Sequence, residues 1–102
     1  MRTNPQPSPG QLSDETLIAR VAQSDRTALQ TLYDRHAPMV MGISLKIIGD
    51  RAAAEEVLLE TFWQVWQEAA SYPGQSWSFT GWLYKLARDL ATDIYRWKLN
   101  NK

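Results

Sequence analysis

The sequence contains no cysteine, which removes disulfide frameworks, thiolate zinc sites and cysteine nucleophiles in one step and fits a reducing cytoplasm. Its single histidine, His36, has no partners at metal-ligand spacing, so a partly buried structural role is expected and a metal centre is not. No apolar run approaches the about 20 residues that span a bilayer. The opening stretch MRTNPQPSPGQ lacks the apolar core of a secretory signal. Glycine-rich phosphate loops and nucleophile elbows are also missing. Glu55 and Glu56 are adjacent, so on a helix they diverge and cannot share a substrate. An enzyme, a small-molecule substrate and a cofactor are therefore not expected.

Neither sign of charge prevails, with 11 basic and 11 acidic residues, but their distribution is uneven. Residues 13–70 hold nine carboxylates against five cations, 71–79 are uncharged, and 80–102 hold five cations against two carboxylates. An acidic body joined to a basic C-terminal segment points to two surfaces with different partners.

What the chain has in quantity is apolar residue, 44% of 102 positions, enough for one domain with its own core. Residues 1–12, with three prolines and no periodicity, read as a flexible tail. Ser13 followed by Asp14 and Glu15 is a helix start, and Leu17, Ile18 and Val21 give a short helix ending near Ser24. Asp25 caps a longer helix with Leu29, Leu32, Tyr33, Val40, Ile43 and Ile47 facing inward, kinked at Pro38 and ended by Gly49. Asp50 caps a third helix from about Arg51 to Ala70, with Ala54, Val57, Leu58, Thr61, Phe62, Val65 and Ala69 inward. After the break SYPGQSWS, a fourth helix runs from Phe79 or Thr80 to about Lys98. Its expected buried stripe is Phe79, Trp82, Leu83, Leu86, Leu90, Ile94 and Trp97. Four amphipathic helices without an alternating strand pattern predict an all-α bundle over residues 13–98, with 99–102 a tail or the start of a linker.

Two faces are left over once the core is assigned. On the third helix, Leu59 and Trp63 are four residues apart and fall outward beside Glu56, Glu60 and Gln67. Such a pair leaves roughly 200 Å² of apolar area on water, worth several kcal/mol to a docking partner at about 25 cal/mol/Å². The opposing assignment places Trp63 under the tail or the first helix. On the fourth helix, Tyr84, Lys85, Arg88, Thr92, Tyr95 and Arg96 share one face, preceded by Tyr72, Gln75, Ser76 and Trp77 in the loop. Rings that stack on bases, interleaved with cations that meet phosphates, suit single-stranded nucleic acid. Ser and Gln can bond the edge of an unstacked base, while Asp89 interrupts the basic face. The opposing assignment is a solvated helix face.

Three segments carry a resemblance: LYDRHAPMVMGISLKIIGD at 32–50, AAAEEVLLETFWQVW at 52–66 and SFTGWLYKLARDLATDIYR at 78–96. In order and spacing they resemble region 2 of extracytoplasmic-function (ECF) sigma factors, transcription initiation proteins of bacteria. The resemblance implies that Glu55, Glu56, Leu59, Glu60 and Trp63 grip the clamp helices of the RNA polymerase beta-prime subunit. It also implies that the minus-ten promoter element, as non-template single strand, meets Gln75, Ser76, Trp77, Tyr84, Lys85, Arg88, Asp89, Thr92 and Arg96. Such proteins are commonly held by an anti-sigma factor, often membrane-tethered, and continue into a helix-turn-helix domain, so the chain is expected to be a fragment or else a stand-alone variant. It departs from the pattern at Leu59, where glutamine is usual, at Ala53, where an acid is usual, and at Asp89, where asparagine is usual. The alternative expectation is a sigma-like interaction module that binds a regulator without DNA.

Overall fold

A computed structural model describes residues 8–101. Four α-helices follow in order: α1 (Asp14–Val21), α2 (Arg26–Ile48), α3 (Arg51–Glu68) and α4 (Phe79–Asn100), with 3-10 turns at Pro9–Gln11 and Ala69–Ser71. No strand occurs among the described residues. The all-α bundle expected from the periodicity is the fold observed.

Each helix begins where a short polar side chain can take up a free backbone N–H. Ser13 accepts from Thr16, Asp25 from Ala28, Asp50 from Ala53 and Ser78 from Gly81; each such cap contributes about 1 kcal/mol. Gly49 closes α2 in the left-handed region, φ 74°, which a residue without Cβ enters freely. Two ends differ from the sequence reading. α1 stops at Val21, and a turn through Ser24, itself at φ 68°, leads into α2. α3 ends at Glu68, with Ala69–Ser71 tightened into a 3-10 turn. Pro38 lies on the exposed side of an unbroken α2.

Of the stretch read as a tail, residues 1–7 lie outside the described residues. Pro9–Gln11 form a turn pinned by Arg35 of α2, whose guanidinium donates to the carbonyls of Gly10 (3.1 Å) and Leu12 (3.0 Å) and to Asp14 (2.8 Å).

The core gathers Leu17, Ile18 and Val21 of α1, Leu32 and Val40 of α2, Val57, Phe62 and Val65 of α3, and Phe79 and Leu83 of α4. Two buried hydroxyls are satisfied within their own helices, Ser44 on the Val40 carbonyl and Thr61 on the Val57 carbonyl. The expected stripe of α4 needs correction. Its fully buried ridge is Phe79, Leu83, Ala87 and Ala91, at strict four-residue steps. Trp82, Leu86 and Leu90 flank that ridge at intermediate burial. The alanines let the α4 backbone come close to its neighbours, so the bulkier residues are pushed to the sides. Trp97, expected in the core, is 64% exposed. From Tyr95 to Asn101 every residue is exposed, so the apolar spacing continues beyond the packed part of the helix.

Candidate docking face and nucleic-acid interface

α3 turns Val57, Leu58, Thr61, Phe62 and Val65 inward. The 100° step of the helix therefore sends Leu59 and Trp63 to the other side, where they are 66% and 53% exposed. At that exposure Trp63 is not buried under another element, and the residues lining the groove beside it belong to α2 and α3. Glu55, Glu56 and Glu60 are exposed around the pair, Glu55 pairing with Arg51 at 3.3 Å on the same helix. The five residues singled out on this helix thus share one solvent-facing surface. Sequence reasoning missed its extent. Leu59 and Trp63 form one wall of a groove of about 460 Å³ completed by Phe62 and Trp66 of α3 and by Arg26, Leu29, Gln30 and Tyr33 of α2. The spacing of Leu29 and Tyr33 and of Leu59, Trp63 and Trp66 carries the signal, but helical periodicity alone places Leu29, Tyr33 and Phe62 wholly in the core. Tyr33 meets Phe62 edge-to-face at 5.1 Å, which fixes the groove floor.

The second surface lies on α4 and its leading loop. Tyr84 (41% exposed), Lys85 and Arg88 face solvent, followed one and two turns on by Thr92, Tyr95 and Arg96. Asp89, in the same row as Lys85, accepts from it at 2.8 Å and from Arg88 at 3.4 Å. The Lys85 hydrogen bond, with the charges of Lys85 and Arg88, holds the Asp89 carboxyl below its ordinary value of 3.8. At neutral pH Asp89 is therefore an acceptor only, and it takes one hydrogen bond from each of the two nearby cations.

Gln75, Ser76 and Trp77 are all exposed on the loop before α4. The Trp77 ring lies over Gly81: a Cβ there would stand 3.5 Å from the ring and 3.1 Å from the Ser78 hydroxyl. Gly81, Lys85 and Asp89 follow at four-residue steps, so Trp77 heads the ridge that carries the charged pair. Backbone bonds from Ser76 and Trp77 to the Pro73 carbonyl shape the loop, at 2.9 and 3.0 Å. Its base is seated by Phe79, fully buried against Tyr72, Trp82 and His36, with ring centroids 6.1, 6.1 and 5.4 Å away. His36 in turn meets Asp14 at 3.0 Å, the structural role expected of it. The two surfaces belong to different helices, and the structure brings the loop residues to α4 but not to the α3 face. No described helix is long and apolar enough to cross a membrane.

Comparison with known proteins gives the family of the chain. Residues 32–98 match the sigma-70 region 2 family. The chain belongs to that family, in its ECF branch. Among curated proteins it is similar to the ECF RNA polymerase sigma factor SigK of Mycobacterium sp. (strain KMS), 34% identical over 82 residues, 80% of this chain and 42% of that protein. It is similar also to SigL of Mycobacterium tuberculosis (strain H37Rv), 29% identical over 79 residues, 78% of this chain and 45% of that protein. The chain thus spans less than half the length of these relatives. No solved structure gives a significant match.

Proposed function

We propose that this domain docks on core RNA polymerase through α3 and engages the minus-ten element of a promoter as single-stranded DNA through α4 and the Gln75–Trp77 loop, in the cytoplasm and without catalysis of its own. The observation that carries the reading is the exposure of Leu59 and Trp63 within an acidic rim, on a helix separate from the aromatic and cationic face. Burying that pair supplies apolar area to a protein partner, and the acidic rim would favour a partner surface of basic charge. On α4, Tyr84 and Trp77 offer rings to unstacked bases while Lys85, Arg88 and Arg96 meet the backbone, and Gln75, Ser76 and Thr92 bond base edges. Flipping a base costs a few kcal/mol, and stacking it on an aromatic returns about 1–3 kcal/mol. The two nearly cancel, so contacts with polymerase must drive melting.

The test is a pull-down of the chain on purified bacterial core polymerase with Trp63→Ala beside it. Capture of the wild type, lost in Trp63→Ala while circular dichroism stays unchanged, supports the reading; no capture of a folded wild type ends it. One observation favours a second reading: Asp89 pairs with both Lys85 and Arg88 and offsets part of the positive charge of the face. A module that binds an anti-sigma factor or another regulator, and not DNA, needs no free cations on α4. Salt separates the two. With about three phosphates neutralised, single-strand affinity falls roughly twentyfold between 50 and 200 mM salt, whereas the regulator-binding module shows no DNA affinity to lose.

A further inference from the structure

The loop between α3 and α4 is closed by the side chain of Tyr72. The Tyr72 hydroxyl donates to the Trp77 carbonyl at 2.7 Å, spanning the loop from end to end. The Glu15 carboxylate of α1 stands 3.4 Å from the same hydroxyl and 3.4 Å from the Phe79 N–H. A hydroxyl has one proton, and the shorter claim on it is the carbonyl of Trp77. The Tyr72 ring is wedged between Phe79 and Trp82, with centroids 6.1 and 5.2 Å away, so its position is set by packing. Gly74 lies under that ring: a Cβ there would fall 3.1 Å from Tyr72 Cε2. The loop has a glycine where the ring needs room and a phenol where the far carbonyl needs a donor.

We infer that Tyr72 is a positioning residue for single-strand recognition, its hydroxyl latching the Trp77 carbonyl so that the Trp77 ring is held over Gly81 before any base arrives. This rests on the reading of α4 and its loop as a single-strand surface. A stacking ring fixed in advance loses no rotational freedom when a base lands on it. A ring on an unlatched loop must be ordered by the base itself, and affinity falls by the value of one neutral hydrogen bond. Partial burial, followed by the Glu15 charge, raises the Tyr72 hydroxyl above its ordinary range, so the donor stays protonated at neutral pH.

The experiment is fluorescence polarisation of the whole 102-residue chain with a fluorescein-labelled thymidine 12-mer and a mixed-sequence 12-mer, for wild type, Tyr72→Phe, Trp77→Ala and the double variant. Tyr72→Phe keeps the ring and loses only the latch; it is expected to weaken binding about fivefold to tenfold. In the Trp77→Ala background the same substitution is expected to change nothing further, because the latch acts through Trp77. Gly74→Ala, which displaces the Tyr72 ring, is expected to reproduce Tyr72→Phe. If Trp77→Ala weakens binding but Tyr72→Phe does not, the latch is overturned while the surface stands. Losses that add in the double variant overturn it as well, since they mark a general structural effect. A wild type that binds neither oligonucleotide overturns the surface and the latch together.

Discussion

Asp89 sets the charge balance of the α4 face. It accepts from Lys85 and Arg88, which hold its carboxyl below the ordinary range. Asp89→Asn removes that acceptor charge and frees both cations. Single-strand affinity is expected to rise about threefold, with a salt slope steeper by roughly 0.7 for each cation that gains a phosphate; titration at several salt concentrations measures both. The stability sign follows from the lowered value: the pair's contribution is present above pH 3.8 and lost as pH falls through the folded value. It is small, because the Asp89 side chain is 49% exposed. Tyr72 has the opposite sign. Its raised pKa means the native state holds the proton more tightly than the unfolded chain, so stability is full below pH 10.0 and declines as pH rises through the folded value. The melting-temperature difference between wild type and Tyr72→Phe should therefore be constant at neutral pH and shrink in alkali. At Gly49, φ 74° makes any Cβ strained, and Gly49→Ala is expected to destabilise the domain by about 1 kcal/mol in urea unfolding.

Among the elements, α4 shows most clearly what periodicity reveals and what it conceals. The helix, its Ser78 cap and its solvent face were legible, because caps are local and the polar residues recur in step. The choice between two adjacent ridges was not. Large side chains dominate any stripe drawn from hydrophobicity, yet Ala87 and Ala91 are buried completely and Trp97 is not. Which ridge faces inward depends on how close the neighbouring backbone comes, and that distance is a property of the packed bundle. Ala87→Leu should accordingly cost about 1–3 kcal/mol by overpacking, while Trp97→Ala should stay within about 0.5 kcal/mol; thermal unfolding of the two variants distinguishes them. α3 was read more fully, its inner and outer faces both as expected. The groove it shares with α2 was hidden because Tyr33 and Phe62 do two jobs, packing inward on one edge and lining a surface on the other.

Across the molecule, the bundle keeps its two surfaces on separate helices and ties those helices through the core and through α1. Asp14 binds Arg35 and His36 of α2, while Glu15 reaches the first N–H of α4. Lys98, near the far end of α4, stands 3.6 Å from Asp50, the cap of α3. Substitutions at Trp63 and at Tyr84 should thus be separable: Trp63→Ala loses polymerase capture, and Tyr84→Ala impairs open-complex formation with capture retained, as permanganate footprinting of a promoter would read. Past Tyr95, where every residue is exposed, α4 is held by its own ladder of hydrogen bonds and by the exposed Lys98–Asp50 pair. Amide hydrogen exchange should therefore grade along this one helix. Protons at Ala87 and Ala91 should be released only when the whole domain opens, while those from Arg96 onward trade with solvent through fraying alone. The far end of α4 is in that sense a built-in reporter, and any molecule that lies along it will announce itself as slowed exchange there before it changes anything in the core.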